Sequence, residues 1–246
     1  MSMKIILRKL HCYLYAASVG FTYALCFPVL YLLSRNKRNY KYMNIIRRGW
    51  GYISSLLVGV RYSFTYQKQI DWGKTYIICP NHTSNLDITA MTMLVKNNHH
   101  CFMGKEELLN NFVTRLFFKT VDIPVNRESK MSSYRAFKRA SEALAEGTSV
   151  IIFPEGRIPD EYPPQLHEFK NGPFRLAIEL KVPIIPVTSL NTWKILWDSG
   201  LEHGSKPGIC NIFVHEPIET AHLTLDDADA LRDKVHGIIQ QKFEQK

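Results

Sequence analysis

Between Leu10 and Leu33 the sequence contains no Asp, Glu, Lys or Arg. That uncharged run of 24 residues, LHCYLYAASVGFTYALCFPVLYLL, is too apolar for an ordinary solvated element, since about 20 apolar residues suffice to cross a bilayer core. It also outruns the apolar core of a secretory leader, and SRNKRNYKY after it offers no small-residue cleavage site, so the segment is expected to be retained. Cysteine is scarce. Cys12, Cys26, Cys79, Cys101 and Cys210 show no CxxC or CxxH spacing, which excludes a disulfide scaffold and fits a reducing, cytoplasmic setting. HExxH is missing, and His99 and His100 are adjacent rather than at ligand spacing, so neither a metal nor a cofactor is expected. A GxSxG elbow is missing too, and neither Ser84 nor any cysteine is expected to act as a nucleophile. Internal repeats and low-complexity tracts are likewise absent.

What is present begins with charge. Lys and Arg exceed Asp and Glu by 31 − 22 = 9, a surplus that suits nucleic acid, an anionic membrane surface or an anionic small substrate. Much of it flanks the apolar run: Lys4, Arg8 and Lys9 before, and Arg35, Lys37, Arg38, Lys41, Arg47 and Arg48 after. With no nucleic-acid recognition motif, this distribution favours a membrane and argues against nucleic acid. The heavier cluster after the run favours that side as cytoplasmic, which predicts attachment to the cytoplasmic face of the inner (plasma) membrane. A second stretch, WGYISSLLVGVRYSFTY (Trp50 to Tyr66), is short and interrupted by Gly, Ser and Arg. The two together read as a helical pair dipping into one leaflet, with a buried core helix over 10–33 as the alternative. Residues 1–66 are therefore expected to form a membrane-associated helical region, and 67–246 an α/β domain.

In that second part, strand-length apolar runs alternate with helix-like segments: TYIIC (75–79), HHCFM (99–103), VDIPV (121–125), SVIIF (149–153), PIIPV (183–187) and ICNIFVH (209–215). The alternation predicts a mixed sheet flanked by helices. Ser132 or Ser133 opens one helix that closes near Gly147; Thr224 opens another, with Asp226 and Asp227 in its first turn. The long irregular stretch PEGRIPDEYPPQLHEFKNG (154–172) has the length of a functional or mobile loop.

The chemistry concentrates where strands end. In CPNHTSNLD, Ser84 and Asp87 have capping-box spacing, which gives Asp87 a structural role, whereas His82 has none. If Asp87 accepts a hydrogen bond from one imidazole nitrogen, the other becomes a base directed into the cleft; a solvent-facing histidine beside a cap is the competing reading. In IIFPEGRIP, Glu155 and Gly156 form a turn and Arg157 is placed to meet an anion or solvent. Lys105, Arg127 and Lys170 lie at other strand or loop ends, and cations converging from several strands are what a phosphate needs.

Four ordered blocks, NHTSNLD, GKEELL with IPVNR, FPEGR and VPIIPV, span residues 77–190 and resemble the glycerolipid acyltransferases typified by lysophosphatidic acid acyltransferase. The resemblance implies that His82 is the general base and Asp87 its orienting partner. It also implies that Arg127, the Glu155–Gly156 turn and neighbouring basic groups hold a glycerol phosphate. One departure stands out: the family commonly carries FPEGT followed by Arg, whereas here Arg157 directly follows Gly156. The partners implied are a lyso-lipid acceptor, an acyl-CoA or acyl carrier protein donor and the bilayer. Acylation of a lyso-amino-acid lipid of the ornithine or glycine type remains open, as does a non-catalytic lipid-binding protein, although His82 and Asp87 argue against the latter.

Overall fold

The computed structural model describes residues 3–126, 128–197 and 202–245. The chain opens with α1 (Met3–Leu33), α2 (Tyr40–Leu56) and strand β1 (Val60–Tyr66). An alternation follows: β2 (Ile77–Pro80), α3 (Leu86–Leu94), β3 (His100–Lys105), α4 (Arg115–Lys119), β4 (Ile123–Val125) and α5 (Lys130–Ala145). It closes with β5 (Ser149–Ile152), α6 (Gly172–Leu180), β6 (Ile184–Ser189), α7 (Thr192–Ile195), β7 (Gly208–Val214) and α8 (Ala228–Glu244).

The seven strands form one sheet in the order β1-β7-β6-β2-β5-β3-β4, parallel throughout except for the antiparallel β6–β7 pair. The central strands β2 and β5 are buried at every residue, as helices on both faces require, and so read as continuous apolar runs. Alternate residues separate the two layers. Ile77, Cys79, Val150 and Ile152 pack with Ala136, Phe174 and Val235 of α5, α6 and α8, while Ile78 and Ile151 pack with Ala90 and Met91 of α3.

All six expected strands occur within a few residues of their runs, whereas β1 differs from the sequence reading. The stretch 50–66 was expected to be helical; the helix stops at Leu56, and Gly59, at φ +73, turns the chain into an edge strand that pairs in register with β7. VRYSFTY alternates buried and exposed positions, and its apolar neighbours in α2 masked that period. The sheet thus begins at residue 60, inside the segment assigned by sequence to the membrane-associated region. Helix α5 also starts earlier than expected, with Ser129 accepting from the Ser132 N–H as its N-cap. Thr224 and Asp227 form a reciprocal capping box, but the first turn is 3-10 and α8 proper begins at Ala228.

Helix α1 is not a core helix. Tyr23 and Leu30 are buried against the domain, whereas Phe21, Leu25, Val29 and Leu32 are exposed. Its two ends are tied to the α/β part. Near the start, the Arg8 carbonyl accepts from the Ser205 N–H at 3.1 Å and His11 pairs with the Ser205 hydroxyl at 2.6 Å. Just past the end, Lys37 pairs with Glu146 at 2.7 Å. Beneath it, Arg47 of α2 forms a buried 2.7 Å pair with Asp122, its guanidinium stacked over Phe102 and Phe117.

Candidate active site

Strand β2 leads through α3 to one side of the sheet, and β5 leads through α6 to the other, so the carboxyl ends of these neighbours flank a topological switch point where ligands bind in open α/β sheets. His82 leaves β2 there, and Glu155, Gly156 and Arg157 leave β5. The His82 ring stacks on Phe153 with centroids 3.9 Å apart. Its Nδ1 lies 3.2 Å from Asp87 Oδ2. With Nδ1–H donating to that carboxylate, Nε2 is the ring's basic nitrogen.

Asp87 is fully buried and held on every side. Oδ2 accepts from the Thr83 and Ser84 N–H groups at 2.7 and 2.8 Å, and Oδ1 accepts from the Thr192 hydroxyl at 2.7 Å. The Ser84 contact is half of the capping box suggested by sequence. The other half is changed: the Ser84 hydroxyl accepts from the Leu86 N–H and donates to the Leu196 carbonyl, so it is occupied structurally. Cys79, three residues before His82, is fully buried, and burial pushes its thiol far above the ordinary range, which leaves it unreactive.

The other expected site residues separate into groups. Lys105, Gly156 and Arg157 line the same cavity as His82, a space of about 590 Å³. Its inner wall includes Trp50, Ile88, Phe102, Leu108 and Phe117, and the Arg47–Asp122 pair is part of its lining. Gly156 adopts φ +78, a left-handed conformation that disfavours any side chain. Lys170 is exposed and is not part of that lining, although its backbone N–H ties the loop to the Pro154 carbonyl at 3.0 Å. Arg127 lies outside the described residues.

Glu155 faces the backbone rather than the cavity. One oxygen accepts from the His82 N–H at 2.7 Å and the other from the His167 N–H at 2.9 Å, so a single carboxylate clasps the loop after β2 to the loop after β5. Burial pushes its pKa up to about 7, with the two N–H donors opposing the rise.

Sequence reasoning missed Thr192, Phe153 and Asn81. Thr192 stands beyond the last recognisable block, and no local pattern marks a hydroxyl that reaches Asp87 across 105 positions. Asn81 locks the ends of β2 and β6 together, accepting from the Ser189 N–H at 2.7 Å. Its place directly before His82 was the only available signal.

A family profile described as Acyltransferase matches residues 61–190, more than half the chain. The chain belongs to the Acyltransferase family. It is an acyltransferase, and its relatives are consistent with that membership. The mouse protein named 1-acyl-sn-glycerol-3-phosphate acyltransferase alpha is 25% identical over 227 residues, covering 92% of this chain and 77% of its own. The human beta form is 27% identical over 242 residues, covering 92% and 82%. A crystal structure of the 1-acyl-sn-glycerophosphate acyltransferase PlsC from Thermotoga maritima shares the fold, with a TM-score of 0.75 at 20% identity over 98% of this chain and 95% of that one.

Proposed function

We propose that this acyltransferase moves a fatty acyl group from a thioester, acyl-CoA or acyl carrier protein, to the free hydroxyl of 1-acyl-sn-glycerol 3-phosphate, yielding phosphatidic acid. The observation that carries the reading is one cavity that combines an Asp87-oriented His82, an apolar wall and, besides the Asp122-paired Arg47, the cations Lys105 and Arg157. His82 Nε2 takes the acceptor's hydroxyl proton as that oxygen attacks the thioester carbonyl. The new C–O bond forms, the C–S bond breaks, and the proton passes from the imidazolium to the departing thiolate. Asp87 stabilises the transient imidazolium. The apolar wall takes the acyl chain, and Lys105 and Arg157 take the phosphate, with Arg127 as a third cation for it.

The reading extends to the membrane. A helix of 31 residues is about 46 Å long, enough to cross a bilayer, and α1 has the apolar composition to do so. A crossing helix separates its ends by the thickness of the hydrocarbon core, whereas both ends of α1 touch the same α/β body. In-plane embedding in the cytoplasmic leaflet fits both observations, with the exposed row Phe21, Leu25, Val29 and Leu32 among the acyl chains.

The test is transfer by purified full-length protein in detergent, with 1-acyl-glycerol 3-phosphate and a lyso-amino-acid lipid assayed side by side. Preference for the phosphate-bearing acceptor supports the reading. Equal or better use of the amino-acid lipid refutes it.

A further inference from the structure

The left-handed turn at Gly156, at φ +78, does not by itself fix the guanidinium of the exposed Arg157 that follows it. Its aim is set instead from further along the same loop. The Arg157 NH2 group donates to His167 Nδ1 at 3.1 Å, and His167 Nε2 lies 3.1 Å from Glu161 Oε2. An Nδ1 that accepts from a guanidinium must be unprotonated, so the ring proton is on Nε2 and is donated to Glu161. Glu161 is correspondingly held below the ordinary carboxylate range, first by its own backbone N–H and then by His167. The His167 backbone is fixed as well, because its N–H donates to the same Glu155 that holds the His82 N–H.

Neither His167 nor Glu161 lines the cavity; Arg157 does. Among the described residues the Arg157 side chain makes no other hydrogen bond, so its remaining N–H groups are available to an anion. We propose that His167, braced by Glu161, is a positioning residue that holds Arg157 toward the phosphate of the acceptor and thereby sets headgroup specificity. This rests on the acyl-transfer reading above and adds to it a residue that never touches substrate. A loose arginine side chain must be ordered when the anion binds, whereas one already held by His167 is not, and the difference falls on acceptor affinity rather than on chemistry.

The experiment uses the full-length protein with an acyl-CoA donor and two acceptors, 1-acyl-glycerol 3-phosphate and monoacylglycerol. Arg157→Ala, His167→Ala, His167→Asn, Glu161→Gln and the Arg157→Ala/His167→Ala double variant are compared. His167→Ala is expected to raise the phosphate acceptor's KM roughly tenfold, with donor KM and kcat changed by less than about twofold. His167→Asn, which still accepts and donates, is expected to recover most of the loss, and Glu161→Gln to lie between. In the Arg157→Ala background the His167 effect is expected to vanish. Additive losses, or equal losses with monoacylglycerol, overturn the proposal, as does a lowered KM in His167→Ala, which would make the contact one that substrate has to break. A normal KM in His167→Ala beside a raised one in Arg157→Ala removes only the positioning role. A normal phosphate-acceptor KM in Arg157→Ala overturns both this proposal and the assignment of Arg157 to the phosphate.

Discussion

Replacing Asp87 with Asn separates its chemical role from its structural one. Asp87→Ala would leave the Thr83 and Ser84 N–H groups buried without an acceptor, at about 1–3 kcal/mol each, so roughly 2–6 kcal/mol is lost. That is a large share of the ~5–15 kcal/mol that holds a typical domain together, and inactivity of the Ala variant would be uninformative. Asn avoids the problem. With its carbonyl oxygen in the place of Oδ2 it still accepts from both N–H groups and from His82 Nδ1, and its amide N–H meets the Thr192 oxygen. The Thr192 hydroxyl can then turn to Thr83 Oγ1, 2.9 Å away. What Asn removes is the negative charge facing the imidazolium in the transition state. A hydrogen bond to a charged group is worth about 1.5–3 kcal/mol, which corresponds to a kcat lower by roughly 10- to 150-fold. The assay is kcat at saturating donor and acceptor, read beside the thermal unfolding midpoint. A kcat within about twofold of the unsubstituted protein, at unchanged stability, would refute the pairing of Asp87 with a catalytic base.

Three further outcomes follow from the same geometry. His82→Ala is expected to lower acyl transfer by about 10²–10⁴-fold while unfolding behaviour and vesicle binding stay unchanged, and near-normal turnover would show that the base is elsewhere. Because burial pushes the Glu155 carboxyl up to about 7 in the folded chain, from the 4.5 of a solvent-exposed glutamate, the folded state keeps a proton that the unfolded state has lost. Its contribution is therefore full below about pH 4.5 and declines by roughly 3 kcal/mol as pH rises through 7, a slope that Glu155→Gln removes and that parallel stability curves for the two proteins would contradict. Finally, Leu25→Asp with Leu32→Asp, at two exposed positions of α1, should release the protein from anionic vesicles without altering its circular dichroism. Undiminished vesicle binding would move the membrane contact to another face.

The sequence by itself determined the α/β class, the order of the central strands along the chain, the apolar N-terminal helix and the His82–Asp87 pair. These are local properties: a strand buried on both faces shows as an apolar run, and a cap or a strand-end histidine shows within a few residues. The edge strand β1 was hidden because its alternating pattern is meaningful only beside β7, roughly 150 positions away. The same limit governs the site. Glu155 looked like part of a phosphate cradle, yet the approach of the β2 and β5 loops turns both its oxygens onto backbone N–H groups. Lys170 looked equivalent to Lys105, but only Lys105 reaches the shared cavity. Thr192 on Asp87 and His167 on Arg157 are contacts of side chains with no motif of their own. Tertiary structure decided them, because a hydrogen bond depends on distance and direction in space, and chain separation carries neither once the sheet has closed.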